Sequence, residues 1–345
     1  MKFPYDFSSD TQTRPSPAMR QAMANAEVGD EQKREDPSVN RLQEMAAELT
    51  GKEAALFLPS GTMCNLIAHA IHCRPGDEII LEASTHPVHF EGGGPAAHSR
   101  ASLRLLDTET GIFMPEQVEA AIRPDDPHFP KSRLVCVENT HNLKGGRVWP
   151  LAAVKAVAAC ARKHGLGLHL DGARLMNAVV ASGVSATQYC EPFDSCWIDL
   201  SKGLGCPVGG VVAGDKAFIA QAWRYKHMFG GAMRQAGIIA AAGVYALEHN
   251  VERLAEDHAK AKALAKGLSG IKGISVDVNA VETNIVVFDI GGTGMPRAEF
   301  LERLAPHGVR FSGLMKATQL RGVTHLDIPD DGVEKALAAV KKVLA

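Results

Sequence analysis

The sequence predicts an α/β fold in which helices cover a mostly parallel sheet. After the first 20 residues, short apolar runs alternate with Ala-rich stretches of helical period, a pattern typical of this class. The composition, 46% hydrophobic and 22% charged residues, is that of a globular protein. Because 345 residues are about twice the usual length of one domain, we expect one large and one small domain.

The large domain contains five candidate strands, each followed by turn residues and then by helix-like sequence. These strands are predicted over residues 54–58, 78–81, 133–138, 166–170 and 209–212. Helices are predicted over residues 38–50, 115–121, 151–164 and 216–225. The first of them has a helix-start signal, Asp36 followed by Pro37.

The organisation of the chain changes in a long helical stretch over residues 234–268, whose first half is nearly uncharged. Beyond it the sequence predicts strands at 274–278, 283–289 and 309–311, a Gly turn at 291–294, and helices at 297–305 and 331–344. We therefore expect an N-terminal segment over 1–20, a large domain over 21–250 and an α+β domain over 251–345.

Charge and composition exclude several classes of function. With 37 basic and 39 acidic residues the net charge is −2, so we expect neither a nucleic acid nor an anionic membrane surface as the main partner. The longest apolar run, residues 236–247, is too short to span a bilayer. The first six residues contain no apolar signal segment, which favours the cytoplasm. The seven cysteines form no Cys-x-x-Cys pair, so we expect reduced thiols and no metal site.

Three motifs carry the candidate chemistry. Lys202 follows a short apolar run and lies among glycines, although most lysines are solvated surface residues. Asp171 stands where a candidate strand ends, either facing the ligand crevice of an open sheet or capping the next helix. Ser60, Gly61 and Thr62 connect a strand to a helix and can form an anion cradle, although this tripeptide is common by chance. Together they suit a ligand with a phosphate, a pyridine nitrogen and an aldehyde, which describes pyridoxal 5′-phosphate (PLP).

At this point the sequence resembles the low-specificity L-threonine aldolases, which are fold-type I PLP-dependent enzymes. The similarity runs in order along nearly the whole chain, and its most specific strings are ENTHN, HLDGAR and SKGLG. Further matching strings are SSDTQTRPSPAM, GKEAALFLPSGTMCN, PGDEIILEASTH, FEGGGPAA, PDDPHFP, GGAMRQAGI and VTHLD. The resemblance implies a large domain with a mainly parallel seven-stranded sheet, a small C-terminal α+β domain, and a homodimer or homotetramer. It also implies cleavage of L-threonine, L-allo-threonine or related β-hydroxy-α-amino acids to glycine and an aldehyde.

The resemblance assigns the cofactor contacts residue by residue. Lys202 would form a Schiff base with the cofactor aldehyde, and Asp171 would pair with the ring nitrogen. The phosphate would be held by Ser60, Gly61 and Thr62, with Arg234 reaching it from a neighbouring subunit.

The resemblance also assigns the substrate contacts. His86 would stack on the cofactor ring and take a proton, either directly or through a water that it shares with His128. Ser9, Arg174 and Arg321 would bind the substrate carboxylate, and Arg174 also lies among the cofactor contacts. Without the resemblance, His86 would be an ordinary core or surface histidine, His128 part of a surface turn, and Arg321 a solvated arginine.

Either Asn142 or His141 could contact the cofactor, and we predict structural support for His141.

The sequence leaves the reaction itself open. The same cofactor chemistry also serves β-elimination, racemisation and transamination. Lys33 and Arg34 stand where many members of the family carry Tyr-Gly, so phenylserine or 3-hydroxyaspartate could be preferred. A non-enzymatic PLP-binding protein would require the loss of Lys202, Asp171 or His86, and all three are present.

Overall fold

A computed structural model describes residues 3–345 of the chain. The first two residues of the predicted N-terminal segment lie outside the described residues. They also belong to the six residues in which the sequence predicts no signal segment. The strands, in chain order, are β1 (Tyr5–Asp6), β2 (Ala54–Leu58), β3 (Asp77–Glu82), β4 (Ser102–Leu106), β5 (Lys131–Glu138), β6 (Gly167–Gly172), β7 (Ser195–Asp199), β8 (Gly210–Gly214), β9 (Ile285–Asp289), β10 (Val309–Arg310), β11 (Ser312–Gly313) and β12 (Gln319–Val323).

The α-helices, in chain order, are α1 (Pro17–Ala24), α2 (Pro37–Thr50), α3 (Gly61–His72), α4 (His86–His89), α5 (Pro115–Ala121), α6 (Leu151–Lys163), α7 (Leu175–Ser182), α8 (Ala186–Cys190), α9 (Lys216–Met228), α10 (Gly237–His249), α11 (Leu254–Ser269), α12 (Arg297–Leu304) and α13 (Gly332–Leu344). The helix-start signal at Asp36 is confirmed, because its side chain accepts a hydrogen bond from the Val39 backbone N–H (3.1 Å) at the start of α2. The predicted helical stretch over residues 234–268 consists of two helices, α10 and α11, separated by residues 250–253.

The central sheet has seven strands in the order β2-β8-β7-β6-β5-β3-β4. Strands β7, β6, β5, β3 and β4 pair in parallel, and β8 runs antiparallel to both of its neighbours. The predicted mainly parallel seven-stranded sheet is therefore confirmed. The five candidate strands correspond to β2, β3, β5, β6 and β8, with ends that differ by at most two residues.

The sequence analysis missed two strands of this sheet. Strand β4 is an edge strand with mostly solvated side chains, so its sequence lacks the apolar run of a buried strand. Strand β7 is fully buried but only five residues long, and it leads directly into the loop that carries Lys202.

A second sheet lies in the C-terminal part of the chain, with the antiparallel order β11-β12-β9. The predicted strand over 274–278 is wrong, since only Ser275 forms an isolated bridge there, with Asp289. The predicted strand at 309–311 is the two-residue β10, which pairs in parallel with β1 from the N-terminal segment. This pairing holds the N-terminal segment, which contains Ser9, against the C-terminal part of the chain.

The buried apolar side chains form separate groups. The largest surrounds the central sheet and extends as far along the chain as Leu254. Another contains Phe7 and side chains from Ala261 onwards. No helix within residues 3–345 combines the length and apolar character needed to cross a membrane.

Candidate active site

The candidate site lies where the carboxyl ends of β5, β6 and β7 meet the N-terminus of α3. Asp171 on β6 and Glu138 on β5 are direct neighbours in the sheet register. Lys202 follows the last residue of β7 by three positions. Because parallel strands end at a common edge, residues that are far apart in sequence converge here, as expected for open α/β sheets.

Lys202 is mostly buried rather than solvated. Its side chain is 14% exposed, and its Nζ lies 2.8 Å from Asp199 Oδ2. The same Nζ lies 5.7 Å from the centre of the Trp197 ring. Thr13 Oγ1 donates to the Lys202 carbonyl oxygen (2.8 Å), which ties the lysine loop to the N-terminal segment. The amine is thus held in a shielded position at the sheet edge.

Asp171 is a buried carboxylate with defined partners. Its Oδ2 accepts from Asn65 Nδ2 (2.8 Å), and its Oδ1 accepts from the Ala173 backbone N–H (3.0 Å). Burial, together with the charge of Glu138, raises the pKa of Asp171 to about 6. The alternative role of helix cap does not hold, because α7 begins at Leu175 and is preceded by Arg174.

His86 is hydrogen-bonded to a buried acid. Its Nδ1 lies 2.9 Å from Oε1 of Glu91, whose side chain is fully buried. Burial alone would lower the pKa of His86, but the hydrogen bond to Glu91 and the charge of Asp171 together raise it. With Nδ1 donating to Glu91, Nε2 of the neutral imidazole carries the lone pair that can accept a proton.

The start of α3 provides the predicted anion cradle. Ser60 caps this helix of 12 residues by accepting from the Met63 backbone N–H (3.2 Å). The first N–H groups of a helix have no intrahelical partner, so those of Gly61 and Thr62 can donate to an anion. A Cβ on Gly61 would overlap the indole ring of Trp197, so only glycine fits at this position.

Two arginines, Arg174, which is buried, and Arg321, which is partly buried, lie at the side of the site formed by the N-terminal segment. Arg174 donates to both carboxylate oxygens of Asp10, with Nε and Nη2 each 2.7 Å from an oxygen. Arg321 donates only to neutral oxygens within residues 3–345, at Asn142 Oδ1 (2.6 Å), the Ser8 carbonyl (3.1 Å) and Ser312 Oγ (3.2 Å).

The electrostatics of Arg321 favour an anionic ligand. Burial, together with the charge of Arg174, lowers the pKa of Arg321 to about 10. A partly buried guanidinium without a carboxylate partner has lost some of its hydration, and a bound carboxylate would compensate for that loss. Ser9, in the N-terminal segment, is half-buried, and its Oγ accepts from the Thr11 backbone N–H (3.2 Å).

Two of the predicted site residues make no contact with this cluster in the described chain. The His128 side chain is 86% exposed and pairs with Asp126 (2.7 Å) within a surface turn. The Arg234 side chain is 61% exposed and pairs with Asp30 (2.9 Å). The predicted roles of both residues stay predictions, that of Arg234 as a contact from a neighbouring subunit.

Several buried polar residues of the site escaped the sequence analysis. Asn65 and Glu91 hold Asp171 and His86, while Glu138 accepts from the His86 backbone N–H (2.7 Å). One usable signal was the position of Asn65, one helical turn beyond Gly61 on α3. His141 is buried and contacts Glu82 (3.0 Å), whereas Asn142 contacts Arg321.

The residues present fit PLP in chemical type. A helix N-terminus suits the phosphate, a buried carboxylate suits a protonated ring nitrogen, and a shielded lysine suits the aldehyde. Trp197, whose ring lies 5.7 Å from Lys202 Nζ, is the direct neighbour of Asp171 in the sheet register. Asn65 contacts both Asp171 and Glu91, the partner of His86, so the three groups share one edge of the sheet. With the mainly parallel seven-stranded sheet, this site defines the class of fold-type I PLP-dependent enzymes.

Comparison with known proteins leads to the same class and to a family within it. A model of the beta-eliminating lyase family matches residues 6–290. The chain is 42% identical to the low specificity L-threonine aldolase of Escherichia coli K12, covering 99% of both chains. It is 41% identical to low-specificity L-threonine aldolase 1 of Arabidopsis thaliana, covering 98% of this chain and 96% of the relative.

A solved threonine aldolase of Leishmania major has the same fold, with a TM-score of 0.85, 20% identity and coverage of 99% of this chain and 100% of that chain. The chain therefore belongs to the beta-eliminating lyase family and, within it, to the low-specificity L-threonine aldolases.

Proposed function

We propose that the protein is a carbon–carbon lyase that uses PLP to cleave L-threonine, L-allo-threonine or a related β-hydroxy-α-amino acid to glycine and an aldehyde. The observation that carries the proposal is the meeting of Lys202, Asp171 and the His86–Glu91 pair at one edge of the sheet. The identity of 41% and 42% to curated L-threonine aldolases over nearly the full chain supports it.

PLP, when bound, supplies an aldehyde that bonds to an amine and a protonated ring that takes up electrons from a bond broken at Cα. Lys202 is the amine that this chain offers, and Asp171 the carboxylate for the ring N–H. Backbone N–H groups of Gly61 and Thr62, with the hydroxyls on Ser60 and Thr62, would hold the phosphate.

The substrate is held by its carboxylate. Arg321 offers a partly buried cation without a carboxylate partner among residues 3–345, and Arg174 and Ser9 lie on the same side of the site. A bidentate arginine contact fixes the orientation of the Cα substituents, and this orientation decides which bond breaks. His86 Nε2 would then accept the β-hydroxyl proton, directly or through a water that it shares with His128.

Product analysis tests the proposal. Purified enzyme loaded with PLP would be incubated with threonine, allo-threonine, phenylserine and 3-hydroxyaspartate in both enantiomeric series. Release of glycine with an equimolar aldehyde from at least one L-substrate supports the aldolase function. Release of pyruvate with ammonia, of a D-amino acid or of a keto acid instead would assign β-elimination, racemisation or transamination and overturn it.

We also propose that the chain has the predicted domains at 21–250 and 251–345 and acts as a homodimer or homotetramer. The apolar side chains of Met228, Ile238 and Phe90 are exposed, and a contact between subunits that covered them would bury apolar area. Arg234 would reach the phosphate from the neighbouring subunit. Light scattering measures the oligomeric state, and a PLP binding assay on an Arg234→Ala variant measures the contribution of Arg234 to cofactor binding.

Because all seven cysteines are free thiols, a reducing compartment such as the cytoplasm suits the protein.

A further inference from the structure

Asn65 connects the two buried carboxylates on which the site depends. Its Nδ2 lies 2.8 Å from Asp171 Oδ2 and 2.7 Å from Glu91 Oε1. Its Oδ1 lies 2.8 Å from Trp197 Nε1, which is a donor only. The indole thus fixes the orientation of the amide, and both amide hydrogens point at carboxylates.

The remaining partner of Asn65 is His169, and beyond it further hydrogen bonds run in the same direction below the site. His169 Nε2 lies 3.3 Å from Asn65 Oδ1, so it must donate, and His169 Nδ1 must then accept. The partner of Nδ1 is Ser195 Oγ at 2.8 Å, and Ser195 Oγ in turn lies 2.7 Å from His72 Nε2. Every donor in this series of hydrogen bonds therefore points towards Asn65. This polarisation strengthens the two hydrogen bonds from Asn65 to the carboxylates.

The charges around Asp171 show why such a donor is needed. The carboxylate of Glu138 raises the pKa of Asp171, as burial does, while His86, Lys202 and the bond from Asn65 lower it. Glu91, which also accepts from His86, is the second carboxylate that Asn65 serves. Three carboxylates thus crowd one edge of the sheet, and Asn65 is the neutral group placed between two of them.

We propose that Asn65 is a positioning residue that keeps Asp171 ionised for the cofactor ring nitrogen and holds Glu91 in place to orient His86. This inference rests on PLP being the cofactor, as proposed above. Asn65 touches neither substrate nor reacting atoms in this account and acts through the two carboxylates.

The test uses Asn65→Asp, which keeps the shape and the acceptor for Trp197 but lacks the amide donors, and Asn65→Leu, which removes all four hydrogen bonds. Asn177→Leu is the matched control, because Asn177 is equally buried but its amide contacts His258 (3.2 Å). The dissociation constant of PLP from each apoenzyme is measured by quenching of tryptophan fluorescence across the pH range in which Asp171 titrates.

Both Asn65 variants should bind PLP at least about tenfold more weakly at neutral pH, because a hydrogen bond to a charged group is lost. The pH at which affinity reaches half of its maximum should rise by about one unit, more for Asn65→Asp, because Asp171 becomes harder to ionise. Asn177→Leu should bind PLP with the parent affinity and midpoint.

Folded Asn65 variants that keep both the parent affinity and the parent midpoint would overturn the inference. So would a loss of affinity equal at every pH, since that pattern indicates a merely structural role. If the parent binds PLP but releases no glycine from any substrate, the proposed reaction fails while this binding test remains valid.

Discussion

The buried carboxyl group of Asp171 makes the stability of the apoenzyme depend on pH. Its pKa is about 6 in the folded chain, against an ordinary value of 3.8. In the pH interval between these values the unfolded chain releases the proton while the folded chain keeps it. Stability from this group is therefore complete below pH 3.8 and is lost as the pH rises through 6. The difference of about two units corresponds to about 3 kcal/mol.

The Asp171→Asn variant removes this dependence. About 1 kcal/mol of the cost is present near pH 4.5 and about 3 kcal/mol near pH 7.5, by the linkage relation. The free energy of unfolding of the variant, relative to the parent, should therefore rise by about 2 kcal/mol between these pH values. Comparing two pH values cancels the pH-independent change in hydrogen bonding. Urea unfolding of both apoenzymes, followed by circular dichroism at one protein concentration, measures this difference.

An exposed carboxylate provides the control. Hydrogen bonds from the backbone and the side chain of His128 lower the pKa of Asp126 below its ordinary value of 3.8, so its contribution to stability is nearly complete above that pH. Asp126→Asn should therefore leave the difference between about pH 4.5 and about pH 7.5 nearly unchanged. If the difference between the parent and Asp171→Asn does not change with pH, or favours the parent more at high pH, burial does not control the ionisation of Asp171. The electrostatic account of the site would then be refuted.

Three further predictions concern substrate binding, packing and a buried ion pair. Replacing Arg321 with Leu should lower kcat/KM about 10-fold to 100-fold, mainly through KM, which initial rates across substrate concentrations would show; an unchanged KM argues against a carboxylate contact. Replacing Gly61 with Ala should destabilise the protein by roughly 1 to 3 kcal/mol in urea unfolding, since the new Cβ overlaps Trp197; an unaltered midpoint would contradict the close approach. Lys226→Met should cost about 3 to 5 kcal/mol because it leaves Glu31 buried without its partner, and adding Glu31→Gln should recover part of that loss; the double variant being no more stable than the single one would count against the pair.

Much of the central sheet followed from local pattern. Strands β2, β3, β5, β6 and β8 were predicted within two residues of their ends, because strands that are buried on both faces are nearly continuous apolar runs. The edge strand β4 and the two-residue β1 were not predicted, since their pairing depends on neighbours that are distant in sequence.

The residues of the site also fall into two groups, those that a local motif indicates and those that only the fold brings together. Lys202, Asp171 and Ser60 stand in motifs whose local sequence indicates a strand end or a helix start, so each could be found singly. Asn65 contacts Asp171 across 106 positions of the chain, and no local pattern connects the two residues.

The sequence by itself thus determined the fold class, the family resemblance and the residue types that PLP chemistry requires, because these depend on local periodicity and on short motifs. Only the tertiary structure decided that Arg174 is paired with Asp10 while Arg321 lacks a carboxylate partner within residues 3–345, and that one amide serves two carboxylates. The physical reason is that burial and hydrogen-bond partners are set where the strand ends converge, at distances along the chain over which sequence patterns carry no signal.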